Sequence, residues 1–269
     1  MNKIYLGTSG YSYQDWKGYF YPPDIKNNDF LIYYSGIFNT VELNFTYYAL
    51  QRSSVFYSLA AKVEGAEDFI FSLKANQIFT HQRSFSDSDV RDFLDSIKPL
   101  AESGRLGCIL FQFPYSFYFN RENLNFISLL GKRFEGYEIC AEFRNSEWVN
   151  SYTMETLKLA NFCFCNVDEP SLSGLLKPSS IVTAESAYIR FHGRNASKWW
   201  NCEKAYQRYD YMYGRNELEE WVPRLNDIFT KAKKTYVYFN NHYKGKAPKS
   251  AQLLLDLLKN IKNMENPGN

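Results

Sequence analysis

The chain has 269 residues, 45% of them hydrophobic and 22% charged, with a formal net charge of +2 and a pI near 8.1. That is ordinary globular usage. The near-neutral balance makes no overall demand for a nucleic-acid or membrane partner, so any basic patch must be local, and no apolar run approaches the roughly 20 residues of a membrane helix.

From the first residues onward, short β-rich apolar runs alternate with helical stripes. Strand one, Ile4–Thr8, follows Met1 with no signal-peptide core before it, so the chain reads as cytoplasmic. Leu31, Tyr34 and Phe38 mark a helix face, and strand two is Thr40–Leu43. Val55, Phe56, Leu59 and Val63 form the next stripe before strand three, Phe69–Lys74. Val90, Phe93, Leu94, Ile97 and Leu100 predict a helix capped at Ser86 or Ser88, followed by strand four, Leu106–Phe113. Leu124, Ile127 and Leu130 precede strand five, Tyr137–Phe143; Met154, Leu157 and Ala160 precede strand six, Phe162–Val167. Ser171–Ser180 shows no helical period and reads as irregular before strand seven, Ala187–His192. A long stripe from Leu218 through Phe229, with Pro223 kinking it or marking its first turn, leads to strand eight, Thr235–Asn240. Ala251, Leu254, Leu255, Leu258 and Ile261 make the last helix. Cys108, Cys140, Cys163 and Cys165 fall in strands and Cys202 in a loop, an odd set without framework spacing that reads as reduced thiols.

Eight buried strands interleaved with about seven helices predict a single (β/α)₈ barrel over residues 1–269, the size that such a barrel needs. The competing fold is a doubly wound open sheet. Its Gly-rich phosphate turn is missing, since Gly7-Thr8-Ser9-Gly10-Tyr11-Ser12 lacks the GxGxxG spacing.

In a barrel the C-terminal strand ends face one site, and here each apolar run finishes on polar or charged residues: Thr8-Ser9; Glu42 and Asn44; Lys74; Gln112; Glu142 and Arg144; Asn166 and Asp168; Arg190 and His192; then Asn240, Asn241 and His242. Buried charge without a partner is expensive, so these ends imply mutual pairing or a ligand. The chain resembles the YecE-like family, domain-of-unknown-function family 72, along nearly its whole length. The resemblance rests on Gly7-Thr8-Ser9-Gly10-Tyr11-Ser12-Tyr13 with Trp16 and Gly18, Phe38 to Asn44 with Thr46-Tyr47-Tyr48, and Phe71-Ser72-Leu73-Lys74 with Thr80-His81. It continues through Leu110 to Pro114, Glu142-Phe143-Arg144 with Trp148, Tyr188 to Arg194 and Tyr238-Phe239-Asn240-Asn241. It implies a barrel and no particular reaction. The chain departs from the family pattern at Phe45, at Asn145-Ser146-Glu147 and at Ser250.

Three chemistries remain open. An enzyme acting on a phosphate-containing substrate, phosphodiester or nucleic-acid hydrolase-like, would use Glu142, Asp168 and His192 as catalytic groups or as ligands for a divalent metal such as Zn²⁺ or Mn²⁺. Lys74, Arg144 and Arg190 would hold the anion, with Ser9, Gly10, Tyr11, Asn44, Gln112, Asn240 and Asn241 as further substrate contacts. Residues 193–215, rich in Trp, Tyr, Lys and Arg, suit a lid or a surface for stacked bases. A glycosidase-like enzyme would instead pair Glu42 with Glu142. A binding module without turnover would hold a small anion or nucleotide through Ser9, Gly10, Asn240 and Asn241. Within the enzyme reading, Lys74 is also a candidate Schiff-base nucleophile.

Overall fold

A computed structural model describes residues 2–265. Eight parallel strands pair in chain order and close, β8 back on β1. They are β1 Lys3–Ser9, β2 Thr40–Leu43, β3 Ile70–Lys74, β4 Leu106–Gln112, β5 Ile139–Glu142, β6 Phe162–Asp168, β7 Ser186–Phe191 and β8 Lys234–Phe239. The open-sheet alternative is thereby excluded. The helices outside are α1 Phe30–Ser35, α2 Ser53–Lys62, α3 Asp87–Glu102, α4 Arg121–Arg133, α5 Ser151–Leu159, α6 Arg215–Glu219, α7 Val222–Lys231 and α8 Lys246–Glu265. Among the described residues no helix is long and apolar enough to cross a membrane.

Local chemistry explains where these helices begin. Ser86 caps α3 in a reciprocal box with Asp89, and Asn120 and Asn150 cap α4 and α5 through their side-chain oxygens. The stripe beginning at Leu218 divides into α6 and α7, with Pro223 in the first turn of α7, where its missing N–H costs nothing. No helix separates β6 from β7. Two polar side chains hold that connection flat against β6 instead: Asn166 donates to the Ile181 carbonyl and accepts from the Ile181 N–H, while Thr183 accepts from the Phe164 N–H and donates to the Phe162 carbonyl.

The two faces of the barrel wall differ in kind. Leu6, Val41, Phe71, Leu73, Ile109, Phe111, Ile189, Val237 and Phe239 are buried apolar residues of the strands. Across the interior, however, the contacts are polar. Tyr238 reaches both Thr40 and Ser72, and Tyr188 reaches Glu42. Many barrels fill this space with branched aliphatics; here hydroxyls and charges meet in it, so each needs a partner.

At β1 the outer layer breaks into the sheet. The Tyr34 hydroxyl from α1 accepts from the Thr8 N–H (2.8 Å) and donates to the Thr40 carbonyl (3.0 Å), wedging itself between β1 and β2. Gly7 makes the room, since a Cβ there would lie 2.0 Å from the Thr40 oxygen and 2.8 Å from the Tyr34 hydroxyl. Gly7→Ala is therefore expected to destabilise the protein by about 2 kcal/mol or more. Urea unfolding checks this, and Tyr34→Phe should relieve only part of the loss because the Thr40 backbone remains in the way.

Candidate functional site

At the C-terminal mouth of the barrel lies a cavity of about 360 Å³, lined by Tyr13, Asn44, Phe45, Tyr47, Tyr48, Lys74, Gln112, Arg144, Arg190, Tyr209, Asn240 and His242. A larger apolar groove of about 680 Å³, bounded by Ile4, Leu6, Phe229 and Leu258, lies between the outer helices, away from the strand-end charges.

The floor of the mouth is built around Arg190. Its Nη1 donates to Glu142 Oε2 at 2.6 Å and its Nη2 to Glu42 Oε1 at 2.7 Å, with Ser9 Oγ at 3.3 Å. All three ionic side chains come from inward positions on β7, β5 and β2. Each carboxylate takes further partners: the Tyr188 hydroxyl donates to Glu42, and Cys165 Sγ lies 3.8 Å from Glu142. Arg144 Nη2 lies 2.8 Å and His192 Nε2 3.2 Å from Glu142 Oε1. Neither approach is aligned as a hydrogen bond, so Arg144 acts on Glu142 through its charge and His192 stands only as a close polar neighbour. Burial acts to raise the Glu142 carboxyl, but the charges of Arg144 and Arg190 override it and hold it well below the usual carboxylate range. Burial first, then Arg144, pushes His192 down to about 3, so its ring is neutral. Asn240 Nδ2 lies 3.2 Å from His192 Nδ1 and can only donate there, which leaves the ring proton on Nε2, toward Glu142.

Above this floor the wall is cationic. Lys74 Nζ donates to Gln112 Oε1 at 2.7 Å and sits over the Tyr47 ring, 4.1 Å from its centroid. Burial, reinforced by Arg190 and Arg144, pushes its ammonium down to about 8. Arg144 spans Glu142 and Glu169, the latter at 3.3 Å, and lies over Trp199. Asn44 Oδ1 and His242 Nδ1 are buried without a hydrogen-bond partner among the described residues, each at a cost of about 1–3 kcal/mol.

The sequence-derived candidates divide into three groups. Lys74, Arg144, Arg190, Asn44, Gln112 and Asn240 share the cavity wall. Glu42, Glu142, His192 and Ser9 lie fully buried around Arg190 or directly beside the residues that hold it. Asp168, Asn241, Gly10 and Tyr11 lie elsewhere. The expectation that Asp168 stands beside Glu142 and His192 needs correcting. Cys165 faces Glu142 inside the barrel, so Asp168, three positions further along the strand, points to the opposite face. There it accepts from the Tyr213 hydroxyl (2.7 Å), Trp221 Nε1 (2.6 Å) and the Arg194 guanidinium (2.8 Å). The trio Glu142, Asp168 and His192 does not converge, and among the described residues no group of three His, Cys, Asp or Glu side chains is arranged to hold a metal. Asn241 ties the Tyr211 carbonyl to Ser250 rather than facing the cavity. Gly10, at φ 84°, makes the turn that brings Tyr13 against Ser9, and a Cβ there would strike the Tyr13 ring. Tyr11 packs near Tyr34 and offers its carbonyl to Tyr21.

Of the site residues, Glu169 carries no sequence-derived role, while Tyr13 and Tyr47 enter only within the family motifs and Tyr209 only as one aromatic of the 193–215 segment. Glu169 is the most consequential. Burial raises it to about 7 despite Arg144 and the Leu176 N–H, both of which favour its charged form. A signal for it existed, since Asp168 and Glu169 are consecutive and two neighbours in extended chain point opposite ways. Tyr13 stacks on His242 at 4.9 Å. In the segment 193–215, Trp199 and Tyr213 are buried, Trp200 is exposed and Tyr209 joins the cavity wall, so its aromatics mostly pack inward. Asp168 clasps that segment near both ends, through Arg194 and Tyr213, and the Tyr213 hydroxyl also accepts from the Gly193 N–H.

A family model described as a protein of unknown function, DUF72, matches residues 5–268. The UPF0759 protein YunF of Bacillus subtilis (strain 168) is similar at 30% identity over an aligned length of 271 residues, covering 95% of this chain and 94% of YunF. Among solved structures, a DUF72 family protein from Thermotoga maritima MSB8 matches with a TM-score of 0.87 and 37% identity, over 96% of this chain and 100% of that one. A second, from Enterococcus faecalis V583, matches with a TM-score of 0.82 and 25% identity, over 95% of each chain.

Two predictions come from this geometry. Asp168→Asn should cost about 3 kcal/mol, because it removes one member of a buried ionic cluster, and should speed proteolytic cleavage within residues 194–214; limited proteolysis with mass mapping reads both ends of the loop. The second concerns pH. His192 stays neutral in the fold down to about 3 whereas the unfolded chain protonates it near 6.5, so its contribution to stability is lost as pH falls through that window. Glu169 acts oppositely: raised to about 7 from 4.5, it favours the fold at low pH and loses that contribution as pH rises through about 7. Urea midpoints measured across pH should therefore fall more steeply on acidification in Glu169→Gln, and rise on acidification toward about 4.5 in His192→Gln.

Proposed function

Because the chain belongs to the DUF72 family, whose description carries no activity, we propose its role from the cavity itself: an enzyme that acts on a small phosphate-containing substrate, with Arg144, Arg190 and Lys74 as the anion-holding groups. One observation carries this reading. The charged side chains that line the cavity are all cations, while Glu42 and Glu142 lie beneath them, committed to Arg190. A buried arginine fork backed by carboxylates is a pre-organised anion receptor, because its orientation is fixed before the ligand arrives. Asn44, Gln112, Asn240 and the rim tyrosines supply neutral donors and flat walls.

Size favours a small molecule over a nucleic-acid strand, since a volume of about 360 Å³ sits at the lower end of small-ligand sites. An enzyme is favoured over a passive binder by Lys74 at about 8 and Glu169 at about 7, two groups in or behind one cavity wall that exchange protons near neutrality. Metal-assisted hydrolysis through Glu142, Asp168 and His192 is disfavoured by the outward turn of Asp168. The paired-carboxylate, glycosidase-like reading is disfavoured too, because one guanidinium engages both members and lies between them where the sugar would have to sit. In this proposal residues 193–215 act as a lid, with Trp199 and Tyr209 over the anion site.

Calorimetry with inorganic phosphate, and then with a nucleoside monophosphate, tests the reading. One saturable site per chain is expected, weakening as ionic strength rises. Arg144→Gln should lower affinity by about tenfold to a hundredfold, the cost of a charge-assisted contact. Absence of binding, or an affinity that Arg144→Gln leaves unchanged, would overturn it.

A further inference from the structure

We propose that Lys74 forms an imine with a small carbonyl compound whose own anionic group is held by Arg144 and Arg190. The inference rests on the anion-site reading and deepens it by naming the substrate class and the bond made. It starts from what surrounds Nζ. Lys74 ends β3 in the cavity wall, and its hydrogen-bonding partner there is the neutral Gln112. Tyr47 covers it with a ring face, and the carboxylates of the site are engaged elsewhere, Glu42 and Glu142 by Arg190 and Glu169 by Arg144. The turn after β3 adds His81, whose ring burial and Lys74 itself push down to about 4 and so keep neutral. A lysine whose role was to balance charge would face a carboxylate at close range. This one shares a cavity with two guanidinium groups.

Such an environment disfavours the ammonium. With Lys74 pushed down to about 8 by burial and the two arginines, about a tenth of the side chain is the free amine at neutral pH, far more than an ordinary lysine offers. The same arginines that disfavour the ammonium attract an anion, so a bound carboxylate or phosphate both anchors the substrate and compensates the positive charge that the imine retains. Gln112 Oε1 and the Tyr47 face, which now stabilise the ammonium, serve the protonated imine equally well.

The step balances without any further reactant. The Nζ lone pair adds to the carbonyl carbon, a C–N bond forms and the C=O π pair moves to oxygen. That oxygen takes a proton, giving a carbinolamine. The C–O bond then breaks as C=N forms, and oxygen leaves as water. Counted from the ammonium, both hydrogens of that water come from Nζ, and the positive charge stays on nitrogen as the protonated imine.

The test uses the full chain with three probes, each in the presence of sodium cyanoborohydride: dihydroxyacetone phosphate, pyruvate, and dihydroxyacetone as the uncharged control. Intact mass and peptide mapping follow the reduced adduct. The expected result is a single adduct on Lys74 with one or both anionic probes, which separates phosphate from carboxylate recognition. Labelling should be at least about tenfold slower with the uncharged probe and in Arg144→Gln, should rise with pH through about 8, and should be suppressed by inorganic phosphate. Lys74→Arg, which keeps the positive charge and the length that the fold sees, should take no label at this site. Label spread over surface lysines, label on Lys74 indifferent to probe charge and phosphate, or no adduct would each overturn the proposal. If no adduct forms but calorimetry still registers phosphate binding that Arg144→Gln weakens, the imine alone falls; if that binding is missing too, the anion-site reading falls with it.

Discussion

Arg190 is the constraint on which the mouth of this barrel depends. A guanidinium cannot shed its charge, so a fully buried one must be met by anions on fixed geometry. Glu42 and Glu142 meet it from strands on other sides of the barrel, at 2.7 and 2.6 Å. That triad ties β2, β5 and β7 together across the interior. It also decides what every neighbour can do: Tyr188 must donate to Glu42, His192 stays neutral beside Glu142, and Arg144 is drawn over the same carboxylate. Removing Arg190 would strip Glu42 of its ion-pair partner and Glu142 of one of its two in a low-dielectric interior, which costs more than the contacts themselves contribute.

The polar interior follows from that choice. With charges at the top of the barrel, the layer beneath is made of tyrosine, threonine, serine and cysteine side chains that can pass hydrogen bonds downward, as Tyr238 does between Thr40 and Ser72. The apolar surface is displaced to the outer face of the strands, against the helices. The carboxylates are consumed inside the wall, so what remains facing the cavity is cationic. The same arrangement that solves a burial problem thus leaves an anion receptor with a weakly basic amine at its edge.

Much of this was legible from residue patterns. The eight strands and most helices declare themselves by local periodicity, and Ser86, Pro223 and the irregular stretch after β6 behave as their side-chain chemistry demands. Period-two alternation also put Glu42, Glu142, Arg144 and Arg190 together correctly, because their strands carry only one polar set each. It failed at β6. Phe162-Cys163-Phe164-Cys165-Asn166-Val167-Asp168 is buried along its whole length, so nothing in its pattern tells which parity faces inward. The pattern alone therefore places Asp168 at the mouth, whereas it clasps the ends of the segment after β7 and its oppositely directed neighbour Glu169 is the residue that meets Arg144.

The amino-acid order alone determined the element types, their sequence along the chain and the concentration of ionisable groups at strand ends, because helix and strand periodicities are local and each cap or turn is written within a few residues. Only the closed structure decided which face of β6 looks inward, which carboxylate meets which guanidinium, and how far Lys74 and Glu169 depart from their ordinary acidities. Those outcomes arise from partners up to 148 residues apart and from the exclusion of water around them, and neither distance through space nor local dielectric is encoded at any single position.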